Sequence, residues 1–316
     1  MQAPGAGAPD QGDRLRALGL GLLVSAIWAS SFVIIKVGLG YIGPLSMGGF
    51  RYFCAFLILL PIMLRPGHAT TWRLPRRLWL QLTLVGVAAY PIANGLLYWG
   101  LTQITPTSSS FLFNLTPFLV LALGIFALRE LPSPGQWAGM ALVAAGIVIF
   151  FALPLGQGEI IGVMATGIAA LAFAWYIVQA RALARTGQLS AVMLTALPLG
   201  IGGALHLAIS LLVEGLPRWD PRALLVVLWL AAFNTALANT AWTKALGSLK
   251  AFELSVLMNV MPVETALIAW LALGEDFPPL KVLGIALVIP GVLLVHWATG
   301  RRSLAARRSL RTNAIK

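Results

Sequence analysis

Six polar side chains stand inside stretches that are otherwise apolar: Arg51, Asn94, Asn114, Asn239, Asn259 and Glu264. Each offers chemistry to a small solute. A guanidinium pairs a carboxylate, an amide both donates and accepts, and a carboxyl carries a proton or holds a cation. Their spacing is helical. Tyr90, Asn94 and Tyr98 recur at i, i+4 and i+8, as do Thr235, Asn239 and Thr243. Ser110, Asn114 and Pro117 share a face, and so do Ser255, Asn259 and Pro262. Two of the amides sit in matching tetrapeptides, NLTP at 114–117 and NVMP at 259–262. In hydrocarbon an amide needs a partner, and so does the carbonyl that a mid-helix proline frees. Polar faces at matching depth on four segments point to a shared wet interior. The plainer alternative is hydrogen bonding between helices, worth about 0.6–2 kcal/mol each.

Aromatic side chains add a second theme. Trp28, Tyr90, Tyr98, Phe111, Trp175 and Trp242 lie within apolar runs, whereas Trp72, Trp79, Trp99, Trp137, Trp219 and Trp297 fit interfacial belts. Aromatic walls with a few amides suit a neutral or zwitterionic solute with an apolar side chain. The candidate substrate-binding residues are therefore Trp28, Tyr90, Asn94, Tyr98, Asn114, Trp175, Asn239, Trp242 and Asn259. Glu264 is the candidate coupling residue. Arg51 is the candidate contact for a substrate carboxylate. Glu130 and Glu275 end their helices and read as structural, as do the isolated His68, His206 and His296.

Only a membrane places such residues this way. The chain has 316 residues, 59% hydrophobic and 10% charged, with a mean hydropathy of +0.87. Soluble domains carry about 25% charged residues. The net charge of +12 does not indicate nucleic acid, because the basic residues lie in short loops and tails between apolar runs. A single cysteine, Cys54, excludes an internal disulfide, and no Cys/His cluster suggests a metal or cofactor. There is no HExxH, GxGD, DDxxD or Walker pattern, and Asp10, Asp13, Asp220 and Asp276 all fall outside the apolar runs, so the chain does not read as an enzyme. No filter sequence marks a channel.

A bilayer core of about 30 Å takes about 20 helical residues. Apolar runs near that length lie at 15–37, 43–64, 78–101, 106–128 and 135–153, then at 159–180, 189–213, 222–245, 251–273 and 279–298. The first contains Trp28 and Lys36 and lacks a clear small-x-small cleavage site, so it reads as a retained helix and not a cleaved leader. Residues 1–14 read as a disordered cytoplasmic segment and 299–316 as a basic cytoplasmic tail. With the N-terminus inside, 17 Lys and Arg residues fall at cytoplasmic ends and 4 at the other side (Lys36, Arg218, Arg222 and Lys281). Both termini are thus expected in the cytoplasm.

One offset of 145 residues relates Asn94 to Asn239, Asn114 to Asn259, Lys36 to Arg181 and Glu130 to Glu275. It also aligns GMALVAAG (139–146) with GIALVIPG (284–291). Helices 2 and 7 need a slip of one residue. The chain reads as a duplicated five-helix unit, 15–153 and 159–298. Five is odd, so the second unit must enter the membrane from the opposite side. Inverted repeats mark secondary transporters with a midplane site.

The sequence resembles the EamA group of the drug/metabolite transporter superfamily, and within it the YddG-type aromatic and neutral amino-acid exporters. The resemblance covers 15–298. It is carried by the duplication, by GFRYF (49–53), by LRE (128–130) and LGE (273–275), by AIWASSFVIIK (26–36), and by the prolines of helices 4 and 9. Helix 6, with ALAFAWYIVQAR, departs from the pattern of helix 1. The resemblance implies an all-α integral membrane protein of ten transmembrane helices, 5+5 inverted, with helices 5 and 10 peripheral. It implies a monomeric exporter of small amino acids in a bacterial-type inner membrane, surrounded by lipid, working by alternating access and without a cofactor. Export of other metabolites or drugs, such as purines or cationic compounds, is the alternative on the same scaffold, and an intramembrane enzyme a remote one.

Overall fold

The computed structural model describes residues 11–65, 74–128, 133–152, 154–239, 241 and 251–313; among them the chain is helical and no strand occurs. The helices are α1 (Gln11–Gly38), α2 (Pro44–Met63), α3 (Arg76–Gln103), α4 (Pro106–Phe113 and Thr116–Leu128), α5 (Pro134–Phe150), α6 (Gln157–Arg185), α7 (Ala191–Val213), α8 (Pro221–Leu237), α9 (Ala251–Leu273) and α10 (Pro279–Asn313). Six of the described helices are long and apolar enough to cross a membrane: α1 to α4, α6 and α7. α5, α8 and the described apolar stretches Val260–Leu273 and Pro279–Val295 are shorter. α1 begins at Gln11, inside the segment expected to be disordered.

Local chemistry sets the helix ends. Pro44, Pro106, Pro134 and Pro221 occupy first helical positions, where no N–H is needed. Ser133 and Gln136 form a reciprocal capping box at α5. Ser190 and Asp220 cap α7 and α8. Gly187, Gly215 and Gly274, at φ between +65° and +76°, follow α6, α7 and α9, in the left-handed region that favours glycine.

The packing carries the duplication into three dimensions. α5 lies against α10 and α2 against α7; α1 meets α9, as α4 meets α6; α3 meets α6 and α7, as α8 meets α1 and α2. Exchanging the repeats maps each pairing onto another or onto itself. Residue contacts show the sense of that exchange. A Cβ added to Gly139 would meet the Gly291 carbonyl at 2.6 Å, and one added to Gly146 would meet the Gly284 carbonyl at 2.8 Å. With the offset of 145, Gly284 is the mate of Gly139 and Gly291 the mate of Gly146. The contact between i and the mate of j is repeated by j and the mate of i. α5 and α10 therefore run antiparallel about a pseudo-two-fold axis, with small residues letting the backbones approach.

Both repeats break regular helix at related places. α3 widens into a π-helical turn at Ala88–Asn94, which contains Pro91, and α8 does so at Leu230–Leu237. The NLTP segment breaks α4 at Asn114 and Leu115, as a mid-span proline and amide suggest. NVMP does not break α9, which runs unbroken through Pro262. A proline removes one helical hydrogen bond and need not end the helix when neighbours pack around it.

Candidate substrate site

Arg51 occupies the middle of α2, where Gly48 and Gly49 let α7 approach closely. Its side chain is only 6% exposed. Nε donates to Thr235 Oγ1 at 3.0 Å and Nη1 donates to Tyr98 Oη at 2.7 Å. The guanidinium lies 5.2 Å from the Tyr52 ring centre. Every one of these partners is neutral, and Nη2 meets no acceptor among the described residues. A charge at this depth is costly without a counter-charge. Among the described residues, one side of the guanidinium fork is thus left without a partner.

The hydroxyls around Arg51 form one directed chain. The Tyr52 hydroxyl donates to Asn94 Oδ1 at 2.6 Å, and the Tyr98 hydroxyl stands 2.8 Å from that of Tyr52. Since Tyr52 gives its proton to Asn94, Tyr98 must donate to Tyr52 while accepting from Arg51. Asn94 Nδ2 donates to the Ala89 carbonyl, five residues back, and Thr235 Oγ1 donates to the Leu230 carbonyl, also five back. The two π-turns thus supply the acceptors that orient Asn94 and Thr235. Such turns are frequent at functional sites because they turn a side chain and free a carbonyl together. Tyr90 packs on Tyr52 with ring centres 4.8 Å apart.

Of the residues singled out in the sequence, the structure brings Arg51, Tyr90, Asn94 and Tyr98 together. The others lie elsewhere. Glu264 Oε2 accepts from Ser25 at 2.5 Å, joining α9 to α1. Beside it Thr265 Oγ1 bonds the Met261 carbonyl, and Asn234 Nδ2 reaches the Ile27 carbonyl while its Oδ1 is buried without a partner. Asn114 Nδ2 donates to the Ser110 carbonyl, and the residue lines a void of about 10 Å3 with Pro262 and α10. The NLTP and NVMP segments therefore meet each other. Trp28 packs, half-buried, on the core around Tyr52. Asn239 and Trp175 are half-buried. Trp242 and the Asn259 side chain lie outside the described residues.

Three residues of this site are not among the candidates read from the sequence: Tyr52, Thr235, noted there only as one of a polar stripe with Asn239, and His206, read there as structural. Tyr52 adjoins Arg51 and reads as one more aromatic. Thr235 meets Arg51 across 184 residues, a pairing no local pattern shows. His206 is fully buried, sits in the space left by Gly48 and Gly95, and stacks near Tyr52 at 6.4 Å between ring centres. Neither ring nitrogen has a partner.

Comparison with known proteins agrees with this architecture. The S-adenosylmethionine/S-adenosylhomocysteine transporter of Chlamydia muridarum is 26% identical over 296 residues, covering 89% of this chain and 91% of that protein. A protein of Salmonella typhimurium named "Probable amino-acid metabolite efflux pump" is 27% identical over 290 residues, covering 87% and 93%. A solved crystal structure matches with a TM-score of 0.64 at 18% identity, covering 89% of this chain and 97% of its own, which bears on the fold alone. The sequence model of the EamA-like transporter family matches residues 15–152 and 160–297, one match for each repeat. Two matches in tandem, on a bundle whose helix pairings exchange with the repeats, leave one assignment: the chain belongs to the EamA-like transporter family and is a membrane transporter.

Proposed function

We propose that the protein is a secondary transporter that exports small α-amino carboxylates, aromatic and neutral amino acids foremost, by alternating access between its two repeats. The observation that carries this reading is Arg51: a buried guanidinium, held by two neutral hydroxyls, with no acceptor for Nη2 among the described residues. A substrate carboxylate supplies the missing charge and takes the open side of the fork. The hydroxyl chain through Tyr98, Tyr52 and Asn94 fixes where that carboxylate sits. Tyr90 and Trp28 offer apolar surface nearby. Asn239, Trp175, Trp242, Asn114 and Asn259 complete the proposed set on the remaining helices, where they meet substrate as the path rearranges. Glu264, bonded to Ser25 between the repeats, is the proposed coupling group.

The membrane arrangement belongs to the same proposal. Ten helices, 5+5 inverted, span a bacterial inner membrane with both termini in the cytoplasm, and a monomer suffices. The chlamydial relatives favour a second reading of the substrate, S-adenosylmethionine or S-adenosylhomocysteine. Both compounds are themselves α-amino carboxylates, so Arg51 serves either reading. Exchange by purified protein in proteoliposomes, tested with labelled amino acids, S-adenosylmethionine and purines, decides between them. The proposal expects exchange of amino acids above background and none of purines. Exchange of purines alone would refute it.

A further inference from the structure

At one end of the bundle, two loops from different repeats are tied together. α7 ends at Glu214, and Gly215, at φ +76°, turns the chain into a short strap, residues 214–220, that leads to α8. The Glu214 carboxylate reaches across to the start of α2. Leu45 N donates to its Oε1 at 2.9 Å and Ser46 N donates to its Oε2 at 2.8 Å. These are orphan donors of a first helical turn, which an N-cap side chain ordinarily holds. Gly43 occupies the cap position of α2 and has no side chain to offer. It leaves the space that the carboxylate fills, since a Cβ added there would lie 2.5 Å from Glu214 Cδ. The rest of the strap follows the same path. Trp219 packs edge-on against Phe50 of α2, next in sequence to Arg51, with ring centres 4.7 Å apart. Arg222 Nη1, at the start of α8, donates to Tyr41 Oη at 3.4 Å, and the guanidinium lies 5.5 Å from the Tyr41 ring centre.

The sequence places no carboxylate at the equivalent position of the other end. With the slip of one residue between α2 and α7, Ser46 is the mate of Ser190, and the mate of Glu214 is Ala69 or Thr70. Ser190 caps its own helix, accepting from Met193 N at 3.2 Å. α7 is therefore capped from within its own repeat and α2 from the opposite one. Two identical inverted units would pass between facing states by exchanging conformations, and neither state would be favoured. A contact made at one end alone weights the balance toward the state in which it forms. We propose that Glu214 is a gating residue: it latches the strap to α2 and holds this end of the bundle closed, so that opening this end during transport requires the carboxylate to leave the α2 N-terminus. Its release frees α2, the helix that carries Arg51, to move relative to α7. The proposal rests on the alternating-access reading above.

Access to the Arg51 site tests this without a substrate. In full-length protein with Cys54→Ala and Thr235→Cys, a membrane-impermeant maleimide is applied to sealed vesicles from the side on which a cysteine at Arg218 reacts. The labelling rate follows the fraction of molecules open at this end. Glu214→Gln and Glu214→Ala should raise it roughly two- to fivefold, the range of an exposed charged contact. Asp220→Asn should leave it unchanged, because Asp220 caps only its own helix, accepting from Arg222 N at 2.7 Å. An unchanged rate in both Glu214 variants, or an equal rise from both sides of the membrane, overturns the proposal. A second arm locks the latch. Gly43→Cys with Glu214→Cys, in the Cys54→Ala background, puts two thiols within bridging reach. The oxidised protein should lose counterflow of labelled phenylalanine in proteoliposomes and dithiothreitol should restore it. Oxidised protein that exchanges as fast as reduced protein overturns the latch. Absence of phenylalanine exchange in the wild type counts against the amino-acid reading alone, and the labelling rates then decide the latch.

Discussion

Arg51 and Tyr52 are adjacent in sequence and do opposite work. Arg51 brings a charge that meets no counter-charge among the described residues, and Tyr52 turns that charge into a directed set of hydroxyls reaching Asn94. Tyr52→Phe deletes the link between Tyr98 and Asn94 while keeping the ring. The expected cost is about 1–3 kcal/mol of stability from the unsatisfied amide oxygen, read as a lower Tm. Asn94→Leu should weaken apparent substrate affinity roughly 10–150-fold, the worth of one hydrogen bond to a charged group. A variant with a lower Tm and unaltered affinity would make Asn94 a packing residue. Glu264 is tested by pH: Glu264→Gln should flatten the dependence of transport on pH, and an unchanged profile at normal expression removes it from coupling. The sequence revealed Arg51, Asn94 and Tyr98 because polar groups in apolar runs are conspicuous. It hid Tyr52 and His206, since an aromatic or a lone histidine has ordinary reasons to be in a membrane helix.

At the scale of elements, the helices were legible, and most apolar runs match observed helices to within a few residues. The irregularities were legible only in part. NLTP breaks α4 as its composition suggests, whereas NVMP leaves α9 whole. The π-turns of α3 and α8 had no clear signal beyond Pro91, because an inserted residue changes hydrogen bonding and not hydrophobicity. The α5–α10 contact gives this scale its prediction. Gly139 and Gly284 are equivalent by the offset, and each faces a backbone carbonyl of the opposite helix. Gly139→Val and Gly284→Val should each cost several kcal/mol by overpacking, with similar falls in Tm measured in detergent. Falls that differ widely would show that the two sides of the axis are not equivalent.

The whole molecule is a bundle whose helix pairings are exchanged by a pseudo-two-fold, and that symmetry was readable from the constant offset alone. What the offset could not show is that the Arg51 site is lopsided. Asn94 and Thr235 are not mates, and the offset carries Tyr98 to Thr243 instead. A duplicated scaffold here holds an unduplicated cluster around Arg51, as the proposed zwitterionic substrate, with its carboxylate on one side only, would need. Its orientation in the membrane is open to labelling. In a Cys54→Ala background, single cysteines at Arg73 and Arg218 should react from opposite sides, Arg73 from the cytoplasm. Labelling of both from one side would contradict the inverted arrangement.

The most direct test of the central claim compares a transported amino acid with its amide, in which the carboxylate is gone and the rest is kept. Counterflow in proteoliposomes should show saturable exchange of the acid by the wild type and little of the amide. Arg51→Gln, where it remains folded by melting temperature, should lose roughly 10–150-fold in apparent affinity for the acid. Equal transport of acid and amide by the wild type, or normal affinity for the acid in folded Arg51→Gln, would contradict the assignment of Arg51 as the carboxylate anchor.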